Sequence, residues 1–145
     1  MPRWVREAVD EYLTRLGPTL KTTFLEIEPG QRSGGGDSQR AIDTEGKRLL
    51  GALRKDEYVV ALDERGTELT TRELAAWLGS RMQDGRDLAL LIGGPDGFAA
   101  DVLARADFKW SLSRLTFPHA LVRVLLVEQL YRAQSVLANH PYHRE

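Results

Sequence analysis

Cysteine is absent from this chain, which excludes disulfides, thiolate catalysis and every zinc site that needs sulfur. The absence suits a reducing compartment. Long apolar runs are missing too. Uninterrupted stretches such as Val124 to Val127 span only a few residues, too short for a membrane-crossing helix. The opening segment, Met1 to Leu16, carries Glu7, Asp10 and Glu11 inside its apolar pattern, so no secretory signal is read and a cytoplasmic location is expected. A large charge excess is also lacking. Lys plus Arg number 20 against 21 Asp plus Glu, net −1, which argues against a generic nucleic-acid binder with a broad basic surface, and DNA is not an expected partner. Hydrophobic residues at 42% and charged residues at 28% leave no case for disorder, and 145 residues suit a single domain over 1–145.

The charge is unevenly placed. From Lys109 onward there are five Lys or Arg against two Glu, with all three histidines; contact with a polyanion is expected there.

Trp4, Val5, Ala8, Val9, Tyr12, Leu13 and Leu16 recur with a period near 3.6, predicting an amphipathic helix stopped by Gly17-Pro18. Alternation over Thr22 to Ile27 predicts a short strand. Pro29 to Gly36 is a loop whose Gly34-Gly35-Gly36 run lacks the lysine of a phosphate cradle. Asp37 is placed to cap a second helix that buries Ile42, Leu49, Leu50 and Leu53. Tyr58 to Leu62, closed by Asp63, is continuous enough for a strand covered on both faces. Thr70 and Glu73 form a capping box ahead of Leu74, Trp77, Leu78 and Met82, with Asp84-Gly85 as the stop. Leu88 to Ile92 is a second buried-type strand, followed by a short helix over Phe98 to Ala106. A brief strand from Trp110 to Leu112 and a long helix from Leu121 to Ala138 come next. Alternating strands and helices of this kind predict an α/β fold with a parallel sheet flanked by helices.

In such sheets ligands bind at the carboxyl ends of the strands. Three places qualify: the turn after Leu62, the turn after Ile92, and the segment from Leu112 to Pro118. Gly93 and Gly94 directly follow a strand and permit positive φ and close approach of a ligand to main chain. Their spacing matches neither dinucleotide nor Walker fingerprints, and a tight structural turn would serve equally. Ser111, Ser113 and Thr116 interleave with Leu112, Leu115 and Phe117, an arrangement suited to a sandwiched adenine, though an ordinary loop reads the same way.

The last helix is apolar nearly all round, with a narrow polar stripe of Glu128, Arg132, Ser135 and Asn139. Burial on every side of a helix in so small a domain suggests a second copy as partner. The tail from Asn139 to Glu145 is dense in hydrogen-bonding groups. His140 and His143 lie three apart, but no third ligand is near and Pro141 breaks the helix that would align them, so no metal site is expected. Aromatic, Arg and His side chains together suit stacking on a flipped base; a frayed terminus is the alternative.

Four motifs in this order, Leu90 to Gly97, Trp110 to Ser113, Leu115 to His119 and Asn139 to Glu145, resemble the ribosomal RNA large subunit methyltransferase H family, within the SPOUT class. The likeness extends to Leu62-Asp63 and to Pro2, Trp4, Val5 and Tyr12, nearly the whole chain. It implies an α/β SPOUT fold with a trefoil knot near the C-terminus, a homodimer, and methylation of N3 of a pseudouridine in large-subunit (23S) RNA of assembled ribosomes. S-adenosylmethionine is the implied cofactor, held by Leu62, Gly93, Gly94 and the run Leu112, Ser113, Arg114, Leu115, Thr116 and Phe117. His119 and His143 are the candidate bases for the N3 proton, because imidazole titrates near neutral pH. Tyr142 and Arg144 would orient the base or a phosphate. Family members open with a further strand of roughly ten residues, whose loss would expose a sheet edge. Here Met1 stands directly before the first helix, and the expectation is that upstream DNA encodes that strand. Rival readings are a Rossmann-like nucleotide enzyme, which lacks its fingerprint here, and a non-catalytic dimeric ribosome-binding module.

Overall fold

A computed structural model describes residues 1–32 and 38–144. The expected Gly34 to Gly36 loop, the Asp37 cap and Glu145 lie outside the described residues. In chain order the elements are α1 (Arg3–Leu16), α2 (Gln39–Ala52), β1 (Tyr58–Glu68), α3 (Thr71–Asp84), β2 (Leu88–Ile92), α4 (Ala100–Arg105), β3 (Phe108–Ser111) and α5 (His119–Leu137), with 3-10 turns at Gly17–Leu20 and Pro141–Arg144. Among the described residues no helix is long and apolar enough to cross a membrane. The chain divides into two units.

The first unit comprises Met1–Phe24, Leu69–Gly85 and Leu115–Glu145, and is helical. Its α5 packs against both α1 and α3. The expected stripe on α1 buries Val5 and Val9, with Tyr12 and Leu13 beside them, against Val127, Val124 and Ala120 of α5, and Leu16 is buried at the end of the helix. Trp4, on the same expected stripe, is 54% exposed. Pro18 ends the α-helix by entering the 3-10 turn, and Gln134 donates to the freed Leu16 carbonyl at 3.1 Å. The capping box opens α3 as expected: Glu73 N–H donates to Thr70 Oγ1 at 3.1 Å and Thr70 N–H to Glu73 Oε1 at 2.8 Å. Removing the cap leaves a donor at the helix start to water alone. Thr70→Ala is therefore expected to lower the unfolding free energy by about 1 kcal/mol, read from the urea midpoint at unchanged slope.

The second unit, Leu25–Glu68 and Arg86–Arg114, holds the sheet. Its strands run β2-β1-β3, all parallel, the α/β architecture expected. Consecutive residues point to opposite faces of a strand. Val59, Val60 and Ala61 are all wholly buried, so β1 is covered on both sides, as its unbroken apolar run requires. On one face Val59 and Leu91 join Ala99 and Val102, with Ile42, Leu49, Leu50 and Leu53 of the α2 segment packed around them. At the amino ends of the strands, Asp107 accepts from Val59 N–H at 2.8 Å, and Arg105 donates to Asp107 at 3.2 Å and to Glu57 O at 2.9 Å.

Three expectations are corrected. Thr22 to Ile27 forms no strand: Phe24 turns toward the α1–α5 cluster while Leu25 is 68% exposed, so alternation here reports burial of single side chains rather than a ladder. Strand β1 does not end at Asp63 but runs to Glu68, because β3 supplies partners for Thr67 and Glu68 after a shift in register. Strand β3 begins two residues earlier than expected and stops at Ser111.

Candidate functional site

The register determines which loops share an end of the sheet. Leu62 on central β1 stands level with Ile92 on β2 and Trp110 on β3. Gly93 and Gly94 therefore emerge beside it on one flank, and Ser111 and Leu112 on the other. Four of the expected donor-binding residues, Leu62, Gly93, Gly94 and Leu112, are thus gathered at the carboxyl end of the sheet, all half-buried. The anticipated turn after Leu62 is instead a bulged stretch of β1, in which Asp63 accepts from Arg65 N–H at 3.0 Å. Beyond β3, buried Ser111 donates its hydroxyl to the Ser113 carbonyl at 3.0 Å, folding the chain just past Leu112. Arg114 is exposed.

Gly93 and Gly94 would permit positive φ, but neither adopts it. It falls at Gly97 instead, at 86°, where Gly97 N–H donates to Gly94 O at 3.1 Å and closes a tight turn around Pro95 and Asp96. Close approach does hold at Gly94, though to the protein itself. A Cβ there would lie 2.7 Å from Glu45 Oε1.

Glu45 is a residue the sequence reasoning missed. It sits within the apolar face of α2, between Ala41-Ile42 and Leu49-Leu50, and is only 8% exposed. It accepts from Gly30 N–H at 3.0 Å and from Arg32 at 2.7 and 3.3 Å. Arg32 Nε in turn donates to Asp96 in the Gly94–Gly97 turn at 2.8 Å. The Arg32 guanidinium holds the Glu45 carboxyl below the usual carboxylate range against the opposing effect of burial, and the Gly30 N–H adds to it. The available signal was a charged residue at a position where the helical stripe demanded an apolar one.

The remaining candidates belong to the helical unit. Leu115 is 70% exposed, Thr116 is exposed and Phe117 is half-buried, just ahead of Pro118 at the N-cap of α5. His119 is the first residue of that helix and is half-buried. The tail folds back on the helices. Asn139 takes a φ of 55°, His140 N–H donates to Ser135 O at 2.7 Å, and the 3-10 turn Pro141–Arg144 follows.

Within that turn the Tyr142 hydroxyl lies 3.1 Å from the Tyr12 hydroxyl and donates to Glu128 at 3.3 Å. Its ring meets Tyr131 edge-on at 4.6 Å, and Arg132, paired with Glu128 at 2.7 Å, lies over it at 4.9 Å. Burial pushes the Tyr142 phenol well above its usual range, and the Tyr12 hydroxyl adds to the shift. Tyr142 is thus a neutral anchor whose hydroxyl is already engaged. Its neighbour differs: His143 Nδ1 is buried and has no hydrogen-bond partner among the described residues. Arg144 is exposed. Glu128 and Arg132, neighbours on the polar stripe of α5, form an i,i+4 ion pair, and Tyr12, Tyr131 and Tyr142 gather around it.

Chemically, the carboxyl end of the sheet offers main chain beside the apolar side chains of Leu62 and Leu112. No group of three or more His, Asp or Glu able to hold a metal ion occurs among the described residues. Backbone polar groups beside half-buried apolar surface fit a flat heteroaromatic ring: apolar contact on its faces and hydrogen bonds at its edge.

Residues 1–143 match the model of the family described as "Predicted SPOUT methyltransferase". The chain is 58% identical, over 144 residues, to the ribosomal RNA large subunit methyltransferase H of Alkalilimnicola ehrlichii, covering 99% of this chain and 92% of that protein. It is 52% identical over 143 residues to the protein of the same name from Xanthomonas campestris pv. campestris, with the same two coverages. The Xanthomonas oryzae pv. oryzae protein of that name is likewise 52% identical. By these matches over nearly its whole length, the chain belongs to the SPOUT methyltransferase family.

Proposed function

We propose that this chain transfers a methyl group from S-adenosylmethionine to N3 of a pseudouridine in large-subunit (23S) ribosomal RNA, on assembled ribosomes. One observation carries the reading: 58% identity along 99% of the chain to a protein named as a large-subunit ribosomal RNA methyltransferase. When bound, S-adenosylmethionine supplies a methyl group already activated by its sulfonium leaving group.

The work left to the protein is positioning and proton removal. Leu62, Gly93, Gly94, Leu112, Ser113 and Arg114 would hold the donor, with apolar side chains and main-chain polar groups of the kind a flat heteroaromatic ring requires. Leu115, Thr116 and Phe117, next along the chain, are the further donor-binding candidates that the family resemblance implies. The chain must keep N3 in line with the methyl carbon. The donor would supply the methyl group together with its sulfonium leaving group, and the chain's own task would be to take the N3 proton onto a base. His119 and His143 are the candidate acceptors. Of the two, His143 has a buried ring nitrogen unpartnered among the described residues. Tyr142, neutral and anchored, fixes the tail that presents His143, and exposed Arg144 meets the base or a phosphate.

The protein is proposed to work in the cytoplasm as a homodimer. The dimer is supported by the character of α5, apolar nearly all round beside its narrow polar stripe, with Leu137 still 46% exposed. A near-neutral charge suits recognition of a preformed ribosomal surface rather than capture of free RNA.

Two measurements test the reading. Calorimetry is expected to show S-adenosylmethionine binding at one site per chain, and radiolabelled donor is expected to mark ribosomes at a base identified by mass spectrometry as N3-methylpseudouridine. No donor binding would return the chain to the nucleotide-enzyme or inert-module readings. Binding with a different methylated base would replace the substrate.

A further inference from the structure

A second role emerges at Glu45, a buried charge that neither the donor contacts nor the proton transfer uses. We propose that Glu45 and Arg32 are positioning residues for the methyl donor: seated against Gly94 and bridged to Asp96, they hold the Gly94–Gly97 turn in its donor-binding shape. This inference rests on the proposed reading that Gly93 and Gly94 contact the donor.

Three observations support it. The turn closes on itself through the antiparallel bridge of Gly94 and Gly97, with Gly97 N–H donating to Gly94 O at 3.1 Å, and its residues from Pro95 to Gly97 are exposed, so its placement on the rest of the unit needs a hold from outside. Arg32 supplies the outside hold, using Nε for Asp96 at 2.8 Å while its Nη atoms grip Glu45 at 2.7 and 3.3 Å. One guanidinium thus ties the turn to the face of α2. The Glu45 carboxylate also fills the space that a side chain at Gly94 would need, since a Cβ there would come within 2.7 Å of Oε1 and 3.3 Å of Cδ. The carboxylate is itself held in place by Gly30 N–H at 3.0 Å.

A purely structural role explains this arrangement less well. Replacing a buried ion pair by apolar residues of similar volume is often neutral or stabilising, and the surroundings of Glu45 on α2 are already apolar. What an apolar residue cannot do is orient Arg32 toward Asp96. Geometry of the turn, rather than stability of the unit, is what the charges supply. The arrangement also places two carboxylates and one guanidinium beside a loop assigned to a donor that carries a positive charge at sulfur.

Glu45→Gln keeps the size and an acceptor for Gly30 but removes the charge that orients Arg32. Arg32→Lys keeps the charge but cannot reach both carboxylates in the planar fork. In each folded full-length variant the S-adenosylmethionine Kd and the donor KM are expected to rise about tenfold, with kcat at saturating donor within about twofold of the parent, the split expected for lost ground-state positioning. A role in stability alone would lower the melting temperature and leave Kd unchanged. Asp96→Asn touches only the bridge to an exposed turn and serves if Glu45→Gln does not fold; it is expected to weaken donor binding about fivefold. If the parent binds S-adenosylmethionine and the folded variants bind it equally well, the inference is overturned and the proposed function stands. If the parent does not bind it, the function reading fails and takes the inference with it.

Discussion

His143→Ala is expected to slow methyl transfer to ribosomes by about 10²–10⁴-fold, the usual contribution of a positioned general base, with donor affinity and melting temperature close to the parent's. The expectation joins chemistry and geometry. Alkylating a ring N–H requires the proton to leave, and the tail presents an imidazole whose Nδ1 is buried and unpartnered among the described residues. A buried polar atom without a partner is costly, and native proteins retain few of them. Its removal should therefore not weaken the fold. A structural histidine would behave in the opposite way, since replacing it would break a hydrogen bond and lower stability.

Tyr142→Phe is the instructive comparison. It loses the hydroxyl that bonds Tyr12 and Glu128 but keeps the ring on Tyr131, so its effect falls first on anchoring of the tail. If His143→Ala turned over ribosomes within about fivefold of the parent, the assignment would pass to His119.

Much of the architecture was legible because it is written in local pattern. The five apolar residues Leu88 to Ile92 are strand β2 to the residue. The Thr70–Glu73 box opens α3, and the period-3.6 stripe on α2 meets the core where expected. Each of these signals depends on neighbours a few residues apart. What stayed hidden depends on partners far along the chain. The polar run Asp63 to Glu68 reads as a loop, yet it is strand because β3, some 40 residues later, pairs with its end. The same holds for the candidate site. Glycines after a strand announce a close approach, but not that the nearest group at Gly94 is the protein's own Glu45. Tyr142 reads as a stacking residue for a base, whereas its ring and hydroxyl are engaged by Tyr12, Glu128, Tyr131 and Arg132. Periodicity tells which side of a helix is buried. It does not tell what a charge on that side is buried against.

Gly66→Ala is expected to lower the unfolding free energy by about 3 kcal/mol, at the upper end of what overpacking costs, and to weaken donor binding along with it. The position lies within β1, between the two registers in which that strand meets β3. Its φ is not positive, so the demand is for space rather than for glycine's conformational freedom. A Cβ there would fall 2.6 Å from the carbonyl carbon and oxygen of Lys109 and 2.9 Å from Trp110 N. All three are main-chain atoms, which cannot swing aside as a side chain does, so the strands must separate. Strand β3 carries Trp110 and Ser111, buried to within 3% of full enclosure, and leads directly into Leu112 to Arg114 of the proposed donor site. Separation therefore costs both core burial and the position of that loop. Gly51→Ala provides the contrast: in α2, with nothing within 4 Å of its added Cβ, it is expected to stabilise the helix by roughly 0.5–1 kcal/mol. Urea unfolding of both variants distinguishes a packing demand from a general intolerance of glycine replacement. Equal stability of Gly66→Ala and the parent would mean that β1 and β3 do not pack as closely as the register requires.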